Sequence, residues 1–167
     1  MAEPEHNPVD RDRYEIDGVA FLGRTFTEYC QFFGLDPGAL SDRTVLDCPG
    51  GAGGFTAGAT ARGADARAVD PVYGPDVSSV AERGRRDVRR AMDALDGVGD
   101  LYNWDFYDDP EDLESYRWSA LGRFLADYST SPERYVPAAL PSLPFPDDSF
   151  DLVLSAHLLF LYADEFD

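Results

Sequence analysis

Between Leu46 and Phe55 the chain reads D-C-P-G-G-A-G-G, and the next apolar run, ARAVD, closes on Asp70. A glycine-rich turn between a buried strand and a helix leaves backbone uncovered by side chains, so a ligand can come close, and the helix start adds amide donors. An acidic residue ending the following strand would lie beside that turn and accept hydrogen bonds from both hydroxyls of a ribose. Turn and acid together predict a nucleoside ligand at the carboxyl ends of two neighbouring strands. His157 is the only histidine beyond the N-terminal stretch. It is the candidate base if an acceptor must lose a proton, against the alternative of a hydrogen-bonded structural residue. Cys30 and Cys48 fit no metal-ligand spacing and read as buried thiols. Arg83, Arg85, Arg86, Arg89 and Arg90 form a basic cluster that pairs more cheaply with Glu82, Asp87 and Asp93 on a solvated helix face than with an anionic ligand. Tyr102, Trp104, Phe106 and Tyr107 either line a substrate pocket or anchor their loop.

The elements that must position these residues follow from pattern. Thr25 to Glu28 spells a capping box, and Phe26, Tyr29, Cys30 and Phe33 recur at helical spacing until Gly34 stops the helix. RTVLDC suits a strand buried on both faces, Phe55 to Arg62 a helix, and ADARAVD a second strand, so a βαβ unit is the simplest account. Ser79 with Glu82 is expected to cap a helix running to about Leu95. Asp109 with Pro110 opens another, whose buried stripe is Leu113, Tyr116, Ala120, Leu121, Phe124 and Tyr128. A third strand is expected around Tyr135 to Leu140, and a fourth, buried, at Leu152 to Leu154. Residues 1–20 read as a mobile acidic arm whose end, Val19 to Leu22, can dock.

The chain has 167 residues and a formal net charge of -18, with 14 basic and 32 acidic side chains, and none of the basic ones is lysine. One domain of this size buries roughly 70% of its unfolded surface, and 44% hydrophobic content supplies the core. A surface this acidic repels polyanions, which argues against nucleic-acid binding and against anionic membranes. The lysine-free acidity fits a halophilic, salt-saturated cytoplasm in which dense salt screens self-repulsion. No run approaches the roughly 20 apolar residues of a membrane span, and the N-terminus has no apolar signal region, so a cytoplasmic protein is expected.

DCPGGAGGF, AVDPVYG and LPFPDDSFDLVLSAHLLFLY, in that order, resemble successive motifs of class I S-adenosylmethionine-dependent methyltransferases, over about residues 24–167. The GRTFTEY helix start before a DCP-type turn is similar to one branch of that family. The resemblance implies an α/β, Rossmann-like three-layer αβα sandwich with a mainly parallel sheet. It also implies S-adenosylmethionine as cofactor and methyl transfer to a small-molecule acceptor. Asp47, Gly51 and Gly53 match the acid and two glycines of the first motif, Pro49 stands for its first glycine, and Gly50 lies between. Asp70, followed by Pro71, matches the ribose-binding acid. Ala139 and Leu140 fall where adenine is met, and Ser155, Ala156 and His157 where the fourth strand faces the reacting methyl. Arg24 and Tyr29 are expected to close over the methionine end of the cofactor, Arg24 by pairing its carboxylate. The family's sheet has strand order 3-2-1-4-5-7-6. Only its first four strands are recognisable here, so a C-terminally truncated domain over 21–167 is expected, with self-association through the exposed fourth strand. Two competing readings are a cofactor-holding module without catalysis and a nicotinamide oxidoreductase. Thr56 stands where the latter's third glycine belongs.

Overall fold

The computed structural model describes residues 19–95, 99 and 103–156. The helices are α1 (Phe26–Phe33), α2 (Phe55–Thr60), α3 (Val77–Leu95) and α4 (Pro110–Thr130), and the strands β1 (Thr44–Asp47), β2 (Asp65–Val69), β3 (Tyr135–Val136) and β4 (Leu152–Leu154). The strands form one sheet in the order β3-β2-β1-β4, and every pairing is parallel. That order is compatible with one half of a Rossmann-like sheet and puts a topological switch point between β1 and β4.

Strand alternation gives the sheet two unlike faces. Val45 pairs with Ala66, Asp47 with Ala68 and with Leu154, and Ala68 with Tyr135, so these residues share one face. The helices pack there. Tyr29, Phe55 and Ala59 join Val45, Ala66 and Leu154 in one cluster. Val80, Val88, Leu121, Phe124 and Tyr128 join Phe21, Ala68, Tyr73 and Tyr135 in another. Phe124 meets Phe21 and Tyr135 edge-on, at 5.7 and 5.2 Å between ring centroids. Such pairs add about 0.5–1.5 kcal/mol each to the stabilisation from burial alone. The opposite face holds Leu46, Cys48 and Val69, and they pack against Val136, Ala138, Leu143, Phe145 and Phe150. No helix lies over it among the described residues, so the three-layer sandwich expected from the sequence is seen here as helices on one face and an irregular segment on the other.

Local signals explain most boundaries. Thr25 Oγ1 accepts from the Glu28 amide at 3.2 Å while Glu28 Oε2 accepts from the Thr25 amide at 2.6 Å, and Gly34 ends α1 at φ 61°. Asp109 caps α4 ahead of Pro110. The expected cap of α3 at Ser79 is corrected, because Asp76 accepts from the Ser78 and Ser79 amides and the helix starts at Val77. The third strand is shorter than expected, since Pro137 has no amide to continue the ladder after Val136. The fourth strand is not buried throughout. Val153 is 56% exposed on the face without helices, and β4 is an outer strand of the described sheet. Tyr116 is only partly buried, and Arg117 takes the buried place beside it in the α4 stripe. Phe21 and Leu22 show how the N-terminal segment docks at its end, and residues 1–18 of the expected arm lie outside the described residues.

Candidate nucleoside-binding site

The turn from Cys48 to Gly54 leaves the carboxyl end of β1 and enters α2, with a cis peptide between Cys48 and Pro49. Its amides are all engaged within the chain. Gly50 donates to Val69 O, Ala52 to Leu22 O, Gly53 to Gly50 O and Gly54 to Arg24 O, while Gly51 donates to Asp70 Oδ2 at 3.1 Å. Residues Leu22–Arg24 therefore lie as a strap across the turn. The glycines permit this contact, because a Cβ on Gly23 would stand 2.1 Å from the Ala52 carbonyl and one on Gly51 2.2 Å from Leu22 O. Gly51 also has φ +52°, a conformation that side chains disfavour. The close approach expected of a ligand at Gly51 is made by the protein's own backbone. A Cβ on Gly50 would strike the Tyr73 hydroxyl at 2.6 Å, and that hydroxyl donates to Gly51 O at 2.7 Å.

Two carboxyls converge beneath the turn. Asp47, 1% exposed, accepts from the Tyr29 hydroxyl at 2.9 Å. Burial pushes its pKa up to about 8, with the Tyr29 hydrogen bond opposing and the charge of Asp70 adding to the rise. Asp70, 7% exposed, accepts from Gly51 N and from Val72 N at 2.9 Å. Burial raises its pKa, against those two amides and the charge of Arg83. Tyr29 is itself buried, stacked on Phe55 at 4.5 Å between centroids. It lies on the buried face of the helix, where its hydroxyl steadies Asp47.

A second polar cluster fixes the strap. Arg117 on α4 donates to Glu28 Oε1 at 2.7 Å, to Gly23 O at 2.8 Å and to the Tyr107 hydroxyl at 2.7 Å. Tyr107 donates in turn to Glu28 Oε1. Arg24 reaches Glu28 Oε1 at 3.4 Å and Tyr107 at 3.0 Å. Burial would raise the Glu28 pKa, but Arg117, with the hydrogen bonds of Arg117, Tyr107 and Thr25, outweighs it and holds the carboxyl below its usual value. Tyr107 thus anchors the aromatic loop, Phe106 packs on Phe32 and Tyr116, and Tyr102 lies outside the described residues. Sequence reasoning missed the Glu28–Arg117 pair. Its one local trace is an arginine within the apolar stripe of α4. Asp87, expected on a solvated face, is buried and accepts from the Phe21 amide at 2.9 Å, while Arg83 and Arg86 lie beside it as ion-pair partners.

The remaining described candidates follow the carboxyl ends of β2, β3 and β4. Asp70 N donates to Val136 O and Cys48 N to Leu154 O, so the ends of β3 and β4 flank the turn. Ser155, exposed, follows β4 directly, Ala156 is half-buried behind it, and Pro71 is exposed next to Asp70. Ala139 and Leu140 are exposed in the segment beyond β3, where Ala139 bridges to Ser142. His157 lies outside the described residues. Cys48 is buried, Cys30 half-buried, and both are free thiols. Among the described residues no helix is long and apolar enough to cross a membrane, and no group of three or more His, Cys, Asp or Glu side chains is arranged to hold a metal ion. No family model matches the chain, and neither the curated proteins nor the solved structures give a match.

Proposed function

We propose that this chain binds S-adenosylmethionine at the carboxyl ends of β1 and β2 and transfers its methyl group to a small-molecule acceptor. The observation that carries this reading is the juxtaposition of the Cys48–Gly54 turn with two buried carboxyls, Asp47 and Asp70, beside the switch point of a parallel sheet. Open α/β sheets take ligands in that crevice. Charge favours a cationic ligand, because no arginine lies within ion-pair distance of Asp47 among the described residues. The hydrogen bonding of the turn disfavours a dinucleotide. A pyrophosphate is held by free amides at such a turn, whereas all five from Gly50 to Gly54 already have partners.

Each Asp70 oxygen has a second lone-pair direction beyond the amide it accepts, which leaves acceptor capacity for ribose hydroxyls. The backbone of Pro49–Gly53, with Asp47 behind it, is assigned to the methionine end, together with Arg24. Ala139, Leu140 and Pro71 are assigned to the base and ribose surroundings, and Ser155 to the reacting end. S-adenosylmethionine, when bound, supplies a methyl on a sulfonium, so the protein's task is alignment more than acid or base catalysis. His157 is assigned the base role for an acceptor that must lose a proton. Calorimetry in molar KCl should detect binding of S-adenosylmethionine or S-adenosylhomocysteine and none of NAD. Binding of NAD alone would overturn the reading. Methyl transfer over a panel of acceptors then separates an enzyme from a module that only holds the cofactor.

A further inference from the structure

Among the described residues, the groups set against Asp47 are neutral or negative. From α1 comes the Tyr29 hydroxyl, whose own pKa is pushed well above its ordinary value, first by burial and then by Asp47 itself. Phe55 of α2 stacks behind Tyr29. At the end of β2 stands Asp70, and the turn contributes the Cys48 thiol, pushed by burial and by Asp47 to about 11. Tyr73 and, on β3, Tyr135 are phenols whose pKa values rise, chiefly by burial. The neighbour on β4 is Leu154. Arg24 acts on Tyr29 and Arg83 on Asp70, but neither pairs with Asp47.

We infer that Asp47 carries a proton in the free chain and gives it up when the cationic nucleoside binds, so that the site exchanges a proton for a positively charged ligand. This inference rests on the proposed function. A carboxyl at 1% exposure with one hydroxyl donor is held neutral by the cost of burying its charge. A ligand bearing positive charge beside the turn removes that cost, and the group returns toward the ordinary carboxylate range. Linkage then sets the sign: a site that must lose a proton to bind gains affinity as pH rises, by up to about tenfold per unit, until pH passes the free-chain pKa near 8.

The test is calorimetry with S-adenosylmethionine at several pH values in buffers of different ionisation heat, on the chain and on Asp47→Asn, in molar KCl. The ligand's own amino group titrates at about 7.7–8.0 and contributes equally to both chains, so the difference between them is the readout. Near pH 7 the unsubstituted chain should release close to one more proton than the variant, and the difference should vanish above pH about 9. In parallel, the Asp47 carboxyl carbon resonance of the free chain should titrate near 8 and move to lower pH when ligand is added. This second readout decides alone if the variant binds too weakly. Equal proton release by the two chains, or a free carboxyl that titrates in the usual range, overturns the inference while leaving the cofactor assignment standing. No binding of S-adenosylmethionine by the unsubstituted chain overturns the proposed function itself, and the exchange with it.

Discussion

Asp70 accepts from Gly51 and Val72 with its two oxygens, so it holds the glycine turn in place in addition to the ribose-binding role proposed for it. Removing it should therefore act on folding and on binding together. Asp70→Ala strands two backbone amides, one of them buried, at a cost of about 1–3 kcal/mol each where no water replaces the carboxylate. Loss of the ribose bonds should weaken S-adenosylmethionine at least tenfold, each charge-assisted bond being worth about 1.5–3 kcal/mol. Asp70→Asn keeps one acceptor for the turn, so it should lose affinity with a smaller drop in melting temperature. Calorimetry beside thermal melts separates the two effects, and unchanged affinity in both variants would remove Asp70 from the site. The acid was legible in the sequence because it ends an apolar run just after a glycine turn. Its bond to Gly51 was not, because it spans 19 residues and depends on how β1 and β2 pair.

At the scale of elements, the joint between α1 and α4 explains why the strap stays on the turn. Glu28 is fully buried, and Arg117 on α4 holds both its carboxylate and the Gly23 carbonyl. Glu28→Gln would leave Arg117 buried without its counter-charge, and breaking one side of such a pair costs about 3–5 kcal/mol. Denaturant melts near pH 7 should show that loss. The Glu28 carboxyl is held below its usual value, so its contribution is present above the unfolded-state pKa and is lost as pH falls through the folded one. The gap between chain and variant should accordingly narrow in acid. A variant as stable as the parent near pH 7 would show that the pair is not what fixes the strap. The capping box that includes Glu28 could be read from Thr25 three residues earlier, as could the start of α4 from Asp109 and Pro110. The ion pair could not, since its partners stand 89 residues apart and each also fits a surface reading. Gly23 against Ala52 is of the same kind, a backbone contact that leaves no mark in periodicity.

For the molecule as a whole, the strands and helices were legible as apolar runs separated by glycine and proline, and the order β3-β2-β1-β4 is the one the family resemblance implied. The single helix-bearing face was not foreseen, because it depends on how distant elements pack. The net charge of -18 set no part of the fold. That charge acts on stability. Among the described residues the buried acids, Glu28, Asp47, Asp70 and Asp87, have internal hydrogen-bond partners, whereas Asp36, Asp42, Asp65, Asp108, Glu133 and Asp148 are exposed. Exposed carboxylates on a compact body repel over a Debye length of about 30 Å at 0.01 M salt and about 3 Å at 1 M. Unfolding separates them, so low salt should favour the unfolded chain and molar salt the folded one. The buried Glu28–Arg117 pair is shielded from the added ions and should weaken little, leaving the surface term to set the direction. Melting temperature should therefore rise steadily from 0.01 to 1 M KCl, and NaCl at equal ionic strength should act alike, because screening depends on ionic strength and not on which cation supplies it. A flat or falling melting temperature would refute the halophilic reading, and a rise with KCl alone would point instead to specific potassium binding at the acidic surface.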